Sequence, residues 1–260
     1  MVTLAQAKLN VQDDLQLGII DEFAKSSYIM NNIPFADVVS PTGGGATLTY
    51  GYTRLITQPK AEFRKVNAEY GTHEVEKQRY TTDLKVFGGA FSVDRIIAGM
   101  GGIVDEVALQ SSQKVKAASA LFSDTIINGN SSTNENVFDG LDVAVTGSST
   151  EYNAGGTVID LSTSAQVDAN YKLFVDLGAK AGSNDPIVGI DGSGKTSIYA
   201  VKFGIDGFHA ISMAGQPPVR VWLPDFSTAG AVKKGEVEMV AGCALKATKA
   251  AGVFRNIKVK

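Results

Sequence analysis

The most regular alternation of apolar and polar positions runs from Ile103 to Ile127. Val104, Ala108, Ser111, Val115, Ala118, Phe122 and Ile126 recur there at spacings of three and four. Such spacing puts them on one side of a helix, so the stretch predicts one long amphipathic helix. Asp105 and Glu106 fall in its first turn, where the helix dipole favours negative charge. Asn128-Gly129 supply residues that tolerate a left-handed stop. A second helical stripe covers Thr3–Ala24 through Leu4, Ala7, Val11, Leu15, Ile19 and Phe23, with Thr3 placed to cap it. Pro34 keeps the apolar cluster Tyr28–Phe35 from continuing that helix. A third helical pattern covers Asp168–Ala181, with Tyr171, Phe174, Val175 and Ala179 on one face.

Elsewhere the period shortens to two. Ala46–Thr57 alternates threonine and tyrosine with aliphatics, and Arg79–Phe91 places Tyr80, Thr82, Leu84 and Val86 on one side of a returning strand. Between them, Pro59–Arg79 is dense in charge of both signs. The prediction is a long two-stranded ribbon with a polar tip. A lone ribbon has too little apolar area to be stable, so it must lie on something. Mixed charge suits pairing with another copy of the chain. Arg54, Lys60, Glu62, Arg64, Lys65, Glu74, Glu76, Lys77 and Arg79 are the candidate intersubunit contacts. Phe91–Ile97 reads as a short helix or turn leading into the long helix. Phe138-Asp139-Gly140-Leu141-Asp142 reads as an apolar plug on a tight turn. From Pro186 onward, strands are expected at Ser197–Phe203, Val219–Leu223, Gly235–Leu245 and Val253–Val259.

Composition narrows the chemistry. With 260 residues the chain can bury a real core in one or two domains. A formal net charge of -3 argues against general nucleic-acid binding, which needs a basic excess. Cys243 is the lone cysteine, and His73 and His209 are the only histidines. No disulfide can form within the chain, and a zinc site is not expected. No apolar run reaches the ~20 residues of a membrane span. The start of the sequence, Met1–Lys8, has no apolar signal core, so a cytosolic protein is expected. No metal, cofactor or catalytic residue is assigned: His209 lies near Asp206 with no nucleophile pattern around it, and no pair of carboxylates stands out.

One motif is tempting. Gly189-Ile190-Asp191-Gly192-Ser193-Gly194-Lys195-Thr196 matches a phosphate-binding loop letter for letter. That chemistry needs the loop to open a helix, whose free amides hold the phosphates. Here Ser197–Gly204 follows with an alternating, β-branched and aromatic strand pattern. A polar turn between strands is the preferred reading, and a P-loop nucleotide-binding protein using Gly189–Thr196 is the alternative.

Taken in order, these features resemble a tailed-bacteriophage major capsid protein with the Hong Kong 97-like fold. The residues carrying the resemblance are Asp13-Asp14-Leu15 and Ile19–Ser27 in an N-terminal arm and the ribbon Thr47–Phe87. Val93-Asp94-Arg95 before the long helix, the Phe138-Asp139-Gly140-Leu141 turn, Ser197–Gly204 and Phe254–Val259 complete it. The resemblance implies an α+β fold with an arm over 1–45 and an extended β-hairpin loop over 46–91. It further implies a peripheral domain with a spine helix over 92–159, joined by C-terminal strands 246–260, and an axial domain over 160–245. It implies a non-enzymatic icosahedral shell of hexamers and pentamers that encloses phage double-stranded DNA without specific binding. Portal, scaffold and decoration proteins would be partners, and the location would be the virion capsid, assembled in host cytoplasm. An encapsulin nanocompartment shell is the near neighbour of this reading. Compared with the family, the stretch Gly182–Thr196 is short: either the axial domain is pared down or residues are missing near Ser183–Pro186, and the second is the expectation. The lysine and asparagine that some relatives cross-link have no counterpart matched here.

Overall fold

A computed structural model describes residues 28–40, 47–57, 59–100, 105–152, 155, 159–160, 188–191 and 193–258. The expected Thr3–Ala24 and Asp168–Ala181 helices, and the break near Ser183–Pro186, lie outside them. Helices α1 (Tyr28–Asn32), α2 (Arg95–Gly99), α3 (Glu106–Asn128) and α4 (Leu141–Val145) accompany three sheets. In the largest sheet, β1 (Phe35–Val39), β8 (Phe208–Met213), β10 (Val232–Leu245) and β4 (Lys85–Asp94) follow one another, and β9 (Val219–Trp222) also pairs with β10. The second sheet gathers β5 (Glu151–Tyr152), β6 (Ile159–Asp160) and β7 (Lys195–Val201) around β11 (Ala251–Lys258). The third is the ribbon alone, β2 (Thr49–Leu55) against β3 (Lys77–Asp83).

The long helix forms with its cap in place. Asp105 is the N-cap, its carboxylate accepting from the Val107 and Ala108 amides, and Glu106 completes an acidic first turn. Burial is confined to the C-terminal half, at Ala118, Phe122, Ser123, Ile126 and Ile127. Ala108 is exposed and Val115 half-buried, so the expected stripe is a core face over only half its length. The left-handed stop is corrected. Gly129 has φ -60°, and its lack of a side chain serves packing instead. A Cβ there would lie 2.3 Å from the Phe138 carbonyl oxygen and 2.5 Å from that of Thr125. Gly140 is equally tight, 2.5 Å from the Thr125 oxygen, and its amide donates to the Gly129 carbonyl at 2.8 Å. Two glycines thus let the Phe138–Leu141 turn close onto the helix end.

That turn delivers Phe138, 2 % exposed, to the centre of the core. Its ring lies 5.9 Å from Phe122 and 6.5 Å from Phe87. Phe122 also stacks on Phe35 at 5.7 Å and on Phe87 at 6.0 Å, which ties α3 to β1, β4 and the turn. The expected apolar plug is therefore present.

The strand readings need three corrections. The returning strand is two strands, because the chain leaves the ribbon at Leu84 and joins β10 from Lys85, opposite Ala241. The alternation changes phase there, so Leu84 is buried while Val86 is 53 % exposed. Strand β4 runs on to Asp94, so the short helix starts later than expected, with the Asp94 carboxylate accepting from the Ile96 amide. Strand β8 was not anticipated. It is buried on both faces, and His209 and Ser212 interrupt its apolar run, so it carries no period-two signal.

The second sheet is pinned by charge. Arg255 on β11 bonds Asp142 at 2.8 Å, the Glu151 carboxylate, and the Thr146 hydroxyl at 2.9 Å. Tyr199 donates to Asp142 at 2.5 Å. The Gly147 amide, with Arg255 beside it, holds the Glu151 carboxyl below its usual range. Asn256 takes φ 58° where the β11 register shifts, a conformation asparagine tolerates.

Replacing Phe138 with alanine should cost about 3–5 kcal/mol in urea unfolding, as expected for a buried ring that little can replace. A change near zero would show that the turn does not plug the core.

Candidate assembly surface

The ribbon meets the body at its root through side chains. Tyr50, Tyr52 and Tyr80 stack in series, with ring centres 5.7 Å and 5.9 Å apart. The Arg54 guanidinium lies 4.1 Å from the Tyr80 ring centre and 5.5 Å from that of Tyr52. The Tyr52 hydroxyl donates to the Leu245 carbonyl at 3.0 Å, and Arg54 donates to the same oxygen. Burial pushes the Tyr52 phenol above its ordinary pKa, so it stays a donor. The Leu84 amide closes the root on the Leu48 carbonyl at 2.8 Å.

Beyond Leu55 one more backbone bond, from the Ile56 amide to the Glu76 carbonyl at 2.9 Å, ends the ladder, and among the described residues no strand resumes until Lys77. The tip is held by short-range contacts. Glu62 accepts from the Gly71 amide and lies 3.9 Å from His73. Arg64 donates to the Ala68 carbonyl at 3.1 Å and lies over Tyr70, and Asn67 turns the chain with φ 68°. None of this buries apolar area. Phe63 is fully exposed, Val66 is 89 % and Tyr70 61 % exposed.

The expected contact residues thus fall into different positions. Arg54 is spent on its own root. Glu62 and Arg64 shape the tip. Lys60, Lys65, Glu74, Glu76, Lys77 and Arg79 are exposed, with Arg79 folded over Gly51. The pattern reading missed Phe63, Val66 and Tyr70, because single apolar residues among charges form no period. Their isolation inside a charged segment was the available signal: water-facing phenylalanine is costly unless something covers it. A second exposed apolar group, Val221-Trp222-Leu223, lies on and just beyond β9.

The phosphate-loop alternative is corrected. Lys195 opens strand β7, not a helix. The Asp191 carboxylate accepts from the Ser193 amide at 2.9 Å and the Lys195 amide at 2.8 Å. Those are donors that a bound phosphate would need, and a fixed negative charge already occupies them. Thr196 is buried and bonds the Gly189 carbonyl at 3.1 Å. The loop borders a polar hollow of about 590 Å³ that also meets Tyr199 and Arg255, whose polar atoms already serve Asp142. Among the described residues, no three His, Cys, Asp or Glu side chains cluster to hold a metal, and no helix is long and apolar enough to cross a membrane.

No family model and no curated protein matches the chain. Solved structures do. A holo-SrpI encapsulin complex from Synechococcus elongatus matches with TM-score 0.63 at 12% identity, over 100% of this chain and 97% of its own. The capsid of a native GTA particle matches with TM-score 0.63 at 12% identity, over 98% of each chain. The capsid of Myoviridae phage XM1 matches with TM-score 0.58 at 12% identity, over 98% of this chain and 99% of its own.

Tyr52→Phe should cost about 0.5–1.5 kcal/mol and Arg54→Met about 1.5–3 kcal/mol, the ranges for neutral and charged hydrogen bonds. Because both donors end on the Leu245 oxygen, the double variant should lose less than the sum in urea titrations. Strict additivity would show that the two act separately.

Proposed function

We propose that this chain, whose fold is that of phage capsid and encapsulin subunits, is the major shell protein of a tailed phage. It builds an icosahedral head of hexamers and pentamers around double-stranded DNA. The observation that carries the reading is the ribbon: a strand pair anchored at its root and ending in an uncovered tip that bears Phe63, Val66 and Tyr70. The likeness to shell subunits over nearly the whole chain supports it. In a closed shell the tip lies on a neighbouring subunit, burying those side chains while Lys60, Lys65, Glu74 and Glu76 set the register. The division into arm, ribbon, peripheral and axial domains belongs to the same reading. So do a structural role without catalysis, portal, scaffold and decoration partners, and assembly in host cytoplasm. The net charge of -3 suits a wall that encloses DNA without gripping it.

An encapsulin shell is the second reading, favoured by the match to the Synechococcus complex along the full chain. The contents of the particle separate the two: nucleic acid for a capsid, a cargo protein for an encapsulin.

Sedimentation of the expressed protein, with negative-stain images of the fast fraction, should give closed particles or rings of five or six. A monomer at every concentration would contradict the proposal. Phe63→Asp should leave unfolding within about 0.5 kcal/mol of the parent, as for other exposed positions, and abolish the fast fraction.

A further inference from the structure

Beneath the ribbon root lies a group that shell building does not require. His209 sits on β8, opposite Ala244 of β10, and is 0 % exposed. Neither Nδ1 nor Nε2 has a hydrogen-bond partner. A buried imidazole with both nitrogens unsatisfied is costly, and a structural role would be filled more cheaply by an apolar residue. The Tyr50 ring of β2 covers it edge-on, with centres 6.4 Å apart. The Lys246 ammonium, just after β10, lies 5.7 Å from the other partner of this stack, the Tyr50 ring.

The elements around His209 differ in how firmly they are held. Strands β8 and β10 are locked by ladder bonds. The ribbon pairs only with itself and reaches the sheet through the Tyr52 and Arg54 hydrogen bonds and through Leu84, Tyr50 and Tyr52, which pack against Val39, Ile211, Val240 and Ala244. If the imidazole takes a proton, the Gly207 carbonyl beside it already accepts from the Lys246 amide at 2.9 Å, and the charge lies near Lys246. Hydrating it by lifting the ribbon root breaks fewer bonds than opening the sheet. We propose that His209 is an acid-sensitive catch, which seats the ribbon root through Tyr50 when neutral and releases it when protonated.

The groups facing it set the direction. Burial and then Lys246 hold its pKa below 6.5, while the Gly207 backbone and exposed Asp206 pull weakly the other way. From the ribbon, Tyr50 brings a phenol, and Arg54 lies farther along the same strand. The folded state therefore prefers neutral His209. Its contribution to the closed root is complete above about pH 6.5 and is lost as pH falls through the lower folded value. The catch operates whatever the chain assembles into.

Hydrogen exchange of the purified full chain between pH 8 and 5, the range in which imidazole changes charge, tests this. After correction for intrinsic rates, exchange in 47–57 and 77–84 should rise as the pH falls, because protonated His209 favours the open root. The 118–127 part of α3 should stay protected. His209→Gln should remove the response. Lys246→Met, which takes away the neighbouring charge, should move the midpoint to higher pH, and it decides the question if His209→Gln does not fold. A root indifferent to pH, an equal response in His209→Gln, an unmoved midpoint in Lys246→Met, or parallel loss of protection in α3 would each overturn the proposal.

Discussion

The contact on which the rest depends is the stack of rings around Phe122. One side chain from α3 meets Phe35 of β1, Phe87 of β4 and Phe138 of the turn that follows the helix. Those three partners are far apart in sequence, so this one position fixes the helix, the main sheet and the turn relative to one another. Aromatic pairs at such distances add about 0.5–1.5 kcal/mol each beyond the area they bury. The close approach of Gly129 and Gly140 is what allows the fourth ring to arrive.

The parts that the proposed assembly would use are built outward from that centre. Strand β10 carries β4 along one edge and β8 and β9 along the other. The end of β10 offers the Leu245 carbonyl as a fixed acceptor, and the ribbon hangs from it through Tyr52 and Arg54. The root is thereby ordered by a few directional contacts, while the tip stays uncovered. A tip that buried its own rings would be a more stable monomer and a poorer connector. The same economy explains the catch: the element held by the fewest bonds is the one a buried charge can move.

Much of the fold was legible in periodicity, and the failures have physical causes. The long helix, its acidic start, the plug at Phe138 and the ribbon all announce themselves, because apolar and polar positions in each follow a regular spacing, although Asp105 stands at the N-cap and not in the first turn. Strand β8 was hidden because both its faces are buried and polar His209 and Ser212 interrupt it. The Leu84 transition was hidden because a change of sheet reverses the inward face without any glycine or proline to mark it. The helix stripe overstated burial, since Ala108 and Val115 follow the period while one is exposed and the other only half-buried. At the candidate site, charge pattern pointed to the ribbon but could not tell Arg54, which stacks on its own tyrosines, from Lys60 and Lys65, which face water. The phosphate-loop letters misled because spelling does not reveal that Asp191 already occupies the Ser193 and Lys195 amides.

The central claim is that the ribbon tip finds its cover on another copy of the chain. The most direct measurement places a photo-reactive phenylalanine at position 63 in assembled protein, irradiates it and maps the adduct by mass spectrometry. Mixing isotopically light and heavy chains before assembly separates links within a chain from links between chains. The account predicts mixed light–heavy adducts joining the tip to a neighbour's body. Adducts confined to single chains would contradict it.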